Sequence, residues 1–558
     1  MSGEHKMVSK LVTIEEAVDR ILEKINLKLV VVFIAMLCTV INTGAVTCAT
    51  IYTGYIPYHD WECNSTKCFD LQTKAEVAED TDKFFSYETM CENDLVAGPD
   101  FKWTSKMHTF SMDWHLYCGR EAIFSLLNGA IGLGSLIGLL MSTGLYDRIG
   151  RKKGGIVGSV ISVLSVAACS VAPNYQVLFF LRLMSGFGIF VNFTGTFCWI
   201  AEYAPTRLRM AMSVSVSLGW CAGLYATICL SYLISDWQNV FLGIAAVNIF
   251  SLLTYFLIPL PESPRFSLIQ GKREEAKKTL KRLASISNSN VDVDSLTLMF
   301  EKRKEYNYFE QLKDLKKYPN MLKQTLQGLW VWFTVALIAY SSNYGWSKLG
   351  SDLYATYCFS ALSEAIAYST SVFVCGLLGR KKAIIFYLVM MILMNFLAMV
   401  DVQFSSAWSL ELVAGLVGYV ATSAALNMLW LFSAELAPTS HRGMIICLSS
   451  SAARLGSFIG PYTSLMYGVT DRKVPLALFA GFTMLACVAM WFLPDTTDRS
   501  IAETPKDVEL MARGKREEKD EEEGDESDTK KEGMRRRKME EMEGVVMENS
   551  SADSGVLL

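Results

Sequence analysis

Charge is scarce in this chain: of 558 residues, 19% are Asp, Glu, Lys or Arg, against about 25% in a typical soluble domain. Hydrophobic residues make up 51%, and the mean hydropathy is +0.27. That balance excludes both an ordinary soluble enzyme and a wholly disordered chain. Histidine is scarcer still, at five. No Cys/His cluster has the spacing of metal ligands, no glycine loop ends in a phosphate-binding Lys, and no Ser stands in a hydrolase elbow. No catalytic residue, metal or cofactor is therefore assigned, and neither an enzyme nor an ATP-driven pump is expected. An excess of positive charge is missing too. The 52 basic and 56 acidic residues leave a net charge of −4, which argues against nucleic acid as a partner. A cleavable leader is also not expected, because residues 1–27 are polar and the first apolar run is of full length.

What the chain has is long apolar runs. A bilayer core of roughly 30 Å is crossed by about 20 apolar residues in a helix. Twelve runs qualify, from Leu29–Ile51 to Val474–Phe492. They are continuous, not alternating, so helices are expected and not barrel strands. Basic residues gather after runs 2, 4, 8 and 10, at Arg148 and Arg151, Arg207 and Arg209, Arg380 and Arg442, and again between runs 6 and 7. The positive-inside rule puts these turns and both termini in the cytoplasm. The organisation expected is a cytoplasmic 1–28, a six-helix half over 29–260 with an extracellular loop at 52–120, a cytoplasmic segment of short helices at 261–322, a second six-helix half over 323–493, and a charged, disordered tail at 494–558.

The extracellular loop carries Cys63, Cys68, Cys91 and Cys118, an even set in an oxidising compartment, so disulfides are expected without a fixed connectivity. Asn64-Ser65-Thr66 is a glycosylation sequon. Asn192-Phe193-Thr194 has the same pattern, but it falls inside run 4 and is set aside.

The chain repeats itself. Glu202-Tyr203-Ala204-Pro205-Thr206-Arg207-Leu208-Arg209 after run 4 and Glu435-Leu436-Ala437-Pro438-Thr439-Ser440-His441-Arg442 after run 10 both read E-x-x-P-T-x-x-R, 233 positions apart. Pro261 and Pro494 end runs 6 and 12 at the same offset, and Gly150-Arg151-Lys152-Lys153 recurs as Gly379-Arg380-Lys381-Lys382 at 229. Three matches in order make two parallel six-span halves. Asp147, Arg148, Arg151, Glu202, Arg209, Arg380, Glu435 and Arg442 are the charges at these turns. Pairing lowers the cost of charge at the membrane boundary. Two roles stay open for them: a latch between alternating conformations, or simple topology anchors.

These motifs carry a resemblance. Asp147-Arg148-Ile149-Gly150-Arg151-Lys152 resembles the span 2–3 signature of the major facilitator superfamily, with Thr143 where that signature has its leading glycine. The long cysteine-bearing loop, Asp113-Trp114-His115-Leu116-Tyr117-Cys118 and Pro261-Glu262-Ser263-Pro264-Arg265-Phe266 resemble the organic cation/anion/zwitterion (carnitine-type) transporter family. Asp113 and Tyr117 depart conservatively from its E-W-x-L-V-C. The resemblance implies an all-α membrane protein of twelve helices in two halves, working by alternating access at the plasma membrane. Its substrates would be small organic ions, leaning to cations or zwitterions such as carnitine or betaines, with Na⁺ or H⁺ as a possible coupling ion. The alternatives are a polyspecific organic cation or anion carrier and, in a different class, a non-transporting receptor or scaffold on the same fold.

Ionisable groups inside spans mark function. Arg454 lies twelve residues into run 11, about 18 Å deep at 1.5 Å per residue, near the midplane. In the resembled family this position tends to be acidic in cation carriers and basic in carriers of anions or zwitterions, and an Arg fork suits a carboxylate. The other role is a structural Arg tied to backbone or a nearby acid. Glu364 in run 8 also matches a family acid position, with Tyr368 one turn later on the same face. Together they suit an ammonium, or Glu364 sits in an internal salt bridge, with Arg454 among the partners. Phe193 and Phe197 share a face of run 4, as substrate-facing aromatics or as core. Tyr340, Tyr344 and Trp346 end run 7, lining a cavity or forming an interfacial belt. Arg182 is expected to be structural and Glu411 to be solvated at the membrane boundary.

Overall fold

The computed structural model describes residues 11–511, apart from 24–25, 57–60, 64–90, 92–100, 206–208, 295, 299–307, 346–352, 401, 403–408, 439, 472, 497–501 and 503. Twelve helical spans form the bundle. They are span 1 (Leu27–Cys38 and Ile41–Thr53), span 2 (Glu121–Ile149), span 3 (Arg151–Cys169), span 4 (Tyr175–Tyr203), span 5 (Arg209–Leu233), span 6 (Trp237–Leu257), span 7 (Pro319–Gly345), span 8 (Leu353–Leu378), span 9 (Arg380–Ala398), span 10 (Leu410–Leu436), span 11 (Arg442–Val469) and span 12 (Lys473–Phe492). Among the described residues, eleven of these are long and apolar enough to cross a membrane, and span 7 is not among them. Its middle is wrapped by protein: Val331, Trp332 and Val335 are wholly buried against spans 10, 11 and 12. A span enclosed by neighbours needs less apolar surface than one facing lipid.

Glycine sets how closely spans approach. A Cβ on Gly158 of span 3 would strike the Asn192 amide and the Gly188 carbonyl of span 4, so small residues let these backbones touch. Gly150 and Gly379, at the matching turns of the two halves, have φ of 99° and 78°, a region that favours glycine. Span 1 breaks at Thr39–Val40, and the Asn192 amide donates to the Thr39 carbonyl at 2.9 Å. Asn192 of the sequon is wholly buried.

The halves join along spans 2 and 11 and along spans 5 and 8. At the end of the bundle that carries the 52–120 loop, the Tyr354 hydroxyl donates to the Ser231 carbonyl at 2.9 Å, Tyr225 to Cys358 at 3.2 Å and Ser125 to Pro461 at 3.2 Å. Tyr52 stacks on Tyr354 across the same seam. In the loop, a disulfide joins Cys91 to Cys118 and a short strand at Trp61–Cys63 pairs with Phe101–Trp103. Cys68 and Asn64 lie outside the described residues.

The opposite, basic end is capped. Helices Pro264–Ile269, Arg273–Ser287 and Tyr308–Lys317 stand where short helices were expected. The helix Ile14–Ile21 packs on Arg273–Ser287, and Leu11–Val12 pairs in parallel with Thr297–Leu298. Val18, Ile21, Leu280 and Leu283 are buried between them, each contributing about 1.5–3 kcal/mol. Part of the tail is ordered, contrary to the disorder expected over 494–558: residues 505–511 form a helix that covers the basic end of the second half. Its Glu509 carboxylate accepts from the Asn320 and Met321 amides at 2.8 and 3.2 Å, capping the head of span 7, where a negative charge is favoured. His441, at the head of span 11, is 2% exposed; burial pulls its imidazole below the usual value, opposed by Asp314 at 3.9 Å.

Candidate functional site

Between the halves lies a cavity with about 930 Å³ of empty space, counting the solvent at its mouth. Span 4 contributes Phe190 and Phe193, span 5 Trp220, span 7 Tyr340, span 8 Glu364 and Tyr368, span 10 Tyr419, Asn427 and Trp430, and span 11 Arg454. Two opposite charges therefore face one aromatic chamber.

Each charge is held from across the seam. The Arg454 guanidinium lies over the Phe190 ring at 3.9 Å, and its Nη1 donates to the Tyr340 hydroxyl at 3.3 Å. It is 8% exposed, its Nε has no hydrogen-bond partner, and among the described residues no carboxylate lies within 4.0 Å of it. A cation over a ring is stabilised by about 2 kcal/mol when desolvated. Glu364, 5% exposed, accepts from the Trp220 indole at 2.9 Å and from the Tyr419 hydroxyl. Its salt-bridge alternative with Arg454 is therefore not realised: the acid is satisfied by neutral donors and the base is left open.

The other expected residues sort clearly. Tyr368 shares the cavity with Glu364, as does Tyr340, which is no interfacial belt residue. Phe193 lines the chamber, whereas Phe197 does not: it stacks on Phe193 and lies against Trp430, one ring behind the wall. The side chain of Tyr344, and all of Trp346, lie outside the described residues. Arg182 is structural, donating to the Val46 carbonyl and the Thr50 hydroxyl. Glu411, in the first turn of span 10, is half-buried and faces a cavity within the second half. Trp220 and Tyr419, which hold the acid, escaped the sequence because a neutral aromatic in an apolar run has no signal of its own.

At the basic end, Arg151 pairs with Glu202 at 3.3 Å and Arg380 with Glu435 at 3.2 Å. Each pair ties two spans of one half and does not reach between halves. Arg148 is exposed and Arg442 half-buried, while the side chains of Asp147 and Arg209 lie outside the described ones.

The family model described as "Sugar (and other) transporter" matches residues 104–345 and 331–550. The chain is 26% identical over 428 residues to solute carrier family 22 member 2 of Rattus norvegicus, covering 75% of this chain and 76% of that one. It is 24% identical over 406 residues to the organic cation transporter protein of Drosophila melanogaster, covering 71% and 73%. It is also 24% identical over 422 residues to the organic cation/carnitine transporter 2 of Homo sapiens, covering 74% of each. In fold it is similar to the inward-open xylose transporter XylE from E. coli, with a TM-score of 0.57 at 16% identity over 87% of this chain and 99% of that one. The chain belongs to the sugar (and other) transporter family: it is a multi-pass membrane transporter, similar in sequence to organic cation and carnitine transporters.

Proposed function

We propose that the chain carries small organic zwitterions, carnitine or betaines, across the plasma membrane by alternating access, with the basic end of the bundle and both termini in the cytoplasm. One observation carries this. The central cavity presents a buried guanidinium with no carboxylate partner among the described residues and, in the same chamber, a carboxylate among aromatic rings. A substrate carboxylate completes Arg454 in a charge-assisted pair, and its quaternary ammonium sits against Tyr368 with Glu364 as counter-charge. Names of relatives point the same way, as one is an organic cation/carnitine transporter. Loading shifts the population between the two open states, and the ion pairs Arg151–Glu202 and Arg380–Glu435, each within one half, anchor the turns at the cytoplasmic end. Na⁺ or H⁺ is the coupling ion to be tested, by replacing each in the uptake medium.

The test is uptake of labelled carnitine and tetraethylammonium by cells expressing the protein and its Arg454→Asp variant. Losing a charged hydrogen bond of about 1.5–3 kcal/mol lowers carnitine uptake, as kcat/KM, by about 10- to 100-fold, while tetraethylammonium uptake rises. Unchanged uptake of both in the variant sinks the assignment. Counterflow in proteoliposomes separates a carrier from a receptor on this fold, which binds without exchanging.

A further inference from the structure

Matched spans of the two halves can be aligned by fixed offsets, and Arg182 marks one place where they differ. Span 4 maps onto span 10 with the offset of 233 that relates Glu202 to Glu435. Span 1 maps onto span 7 with an offset of 292, and a pair of glycines sets it. A Cβ on Gly223 would strike the Ile41 carbonyl and the Ala45 amide; one on Gly456, 233 positions later, would strike the Phe333 carbonyl and the Leu337 amide, each 292 positions later.

In the first half the space between spans 4 and 1 is filled by a fixed cation. Arg182 is wholly buried; its Nη1 donates to the Val46 carbonyl at 2.9 Å and its Nη2 to the Thr50 hydroxyl at 3.0 Å. By the two offsets, Val46 corresponds to Ile338, Thr50 to Ser342 and Arg182 to Gly415. The second half keeps the acceptors and lacks the guanidinium. A cavity stands in its place, lined in part by Ile338, Ser342, Asn395, Glu411, Gly415 and Thr422, with about 540 Å³ of empty space, mouth included. The residue one turn before Gly415 completes the exchange: it is Glu411, where the first half has the wholly buried Leu178. A fixed cation beside a leucine has become a void beside a carboxylate.

The void is not a branch of the central chamber. On span 10, Tyr419, Ser423 and Asn427 face the centre, while Gly415, Gly418 and Thr422 face this cavity on the neighbouring side of the helix, and the two linings share no residue. Its acceptors match what a guanidinium or ammonium needs, since a helical carbonyl keeps a second lone pair and a serine hydroxyl accepts as readily as a threonine one. Met391, Met394 and Phe479 supply soft, polarisable walls for an apolar remainder. We propose that this cavity is a second ligand site, taking the guanidinium or ammonium head of a small organic cation, with the Ile338 carbonyl and the Ser342 hydroxyl as acceptors and Glu411 as counter-charge.

Equilibrium dialysis of labelled methylguanidinium against the purified full chain tests it. Gly415→Arg, which restores to the second half the side chain the first half carries, should bind one equivalent fewer than the unaltered chain. Glu411→Gln, which keeps the shape of the cavity, should weaken that same equivalent at least about tenfold. Neither residue touches the central chamber, so any equivalent bound there stays in both variants. Equal stoichiometry and affinity in all three proteins overturns the proposal; if Gly415→Arg does not fold, an unchanged affinity in Glu411→Gln overturns it alone.

Discussion

The same ion pair closes the basic end of each half, in different surroundings. In the first half the Arg151 and Glu202 side chains are 13% and 14% exposed; in the second, Arg380 and Glu435 are 34% and 17% exposed. The first pair is roofed by the Phe266 ring, 5.0 Å from the Arg151 guanidinium. Beneath it, Glu262 accepts from the amides of Arg151 and Lys152 at 2.8 and 3.0 Å and from Lys153 at 3.3 Å, capping span 3. At the second pair the Thr496 hydroxyl donates to Glu435 at 2.8 Å. Duplication copies the pair, but its strength comes from what each half packs around it. The first half behaves as an anchored block, and the second carries the pair more open to solvent and easier to break.

Five substitutions probe that difference, each measured as unfolding free energy in mixed micelles. Glu262→Ala removes the shared cap of span 3 and leaves three amides short of an acceptor; a loss of about 2–3 kcal/mol is expected. A loss no larger than that of Thr496→Ala would erase the asymmetry. Glu202→Gln should cost about 1–2 kcal/mol and Glu435→Gln about half of that, since solvent screens the more exposed pair; the reverse order would show that exposure does not set the strength. At the small end, Glu15→Gln breaks the exposed contact with Arg265 at 3.4 Å and should shift stability by less than about 0.5 kcal/mol. A larger shift would mean that the docked helix Ile14–Ile21 depends on that pair and not on its buried apolar face.

The bundle was legible in the sequence because lipid demands continuous apolar runs and because the duplicated turns repeat at one spacing. Arg454 and Glu364 were legible because charge is costly at midplane depth. What stayed hidden is what depends on neighbours. Span 7 is not as apolar as the other eleven yet is packed by spans 10, 11 and 12, and the break at Thr39–Val40 shows only when the Asn192 amide is seen reaching its carbonyl. Phe193 and Phe197 share a helix face, yet only one lines the chamber, because Trp430 of span 10 covers the other. Glu411 lies near a helix end, and the void lined by Gly415 that it also faces has no sign in the sequence.

The contact between Arg454 and Phe190 has one more consequence. The ring belongs to span 4 and the cation to span 11, so the contact bridges the two blocks that alternating access must separate. Attraction between a cation and a ring fades within an ångström or two of optimum. The pair is thus a ruler as much as a strut, meeting at full strength only in one relative setting of the halves. A carboxylate that draws the guanidinium off the ring changes the length the ruler reads, and so couples occupancy of the chamber to the distance between its walls.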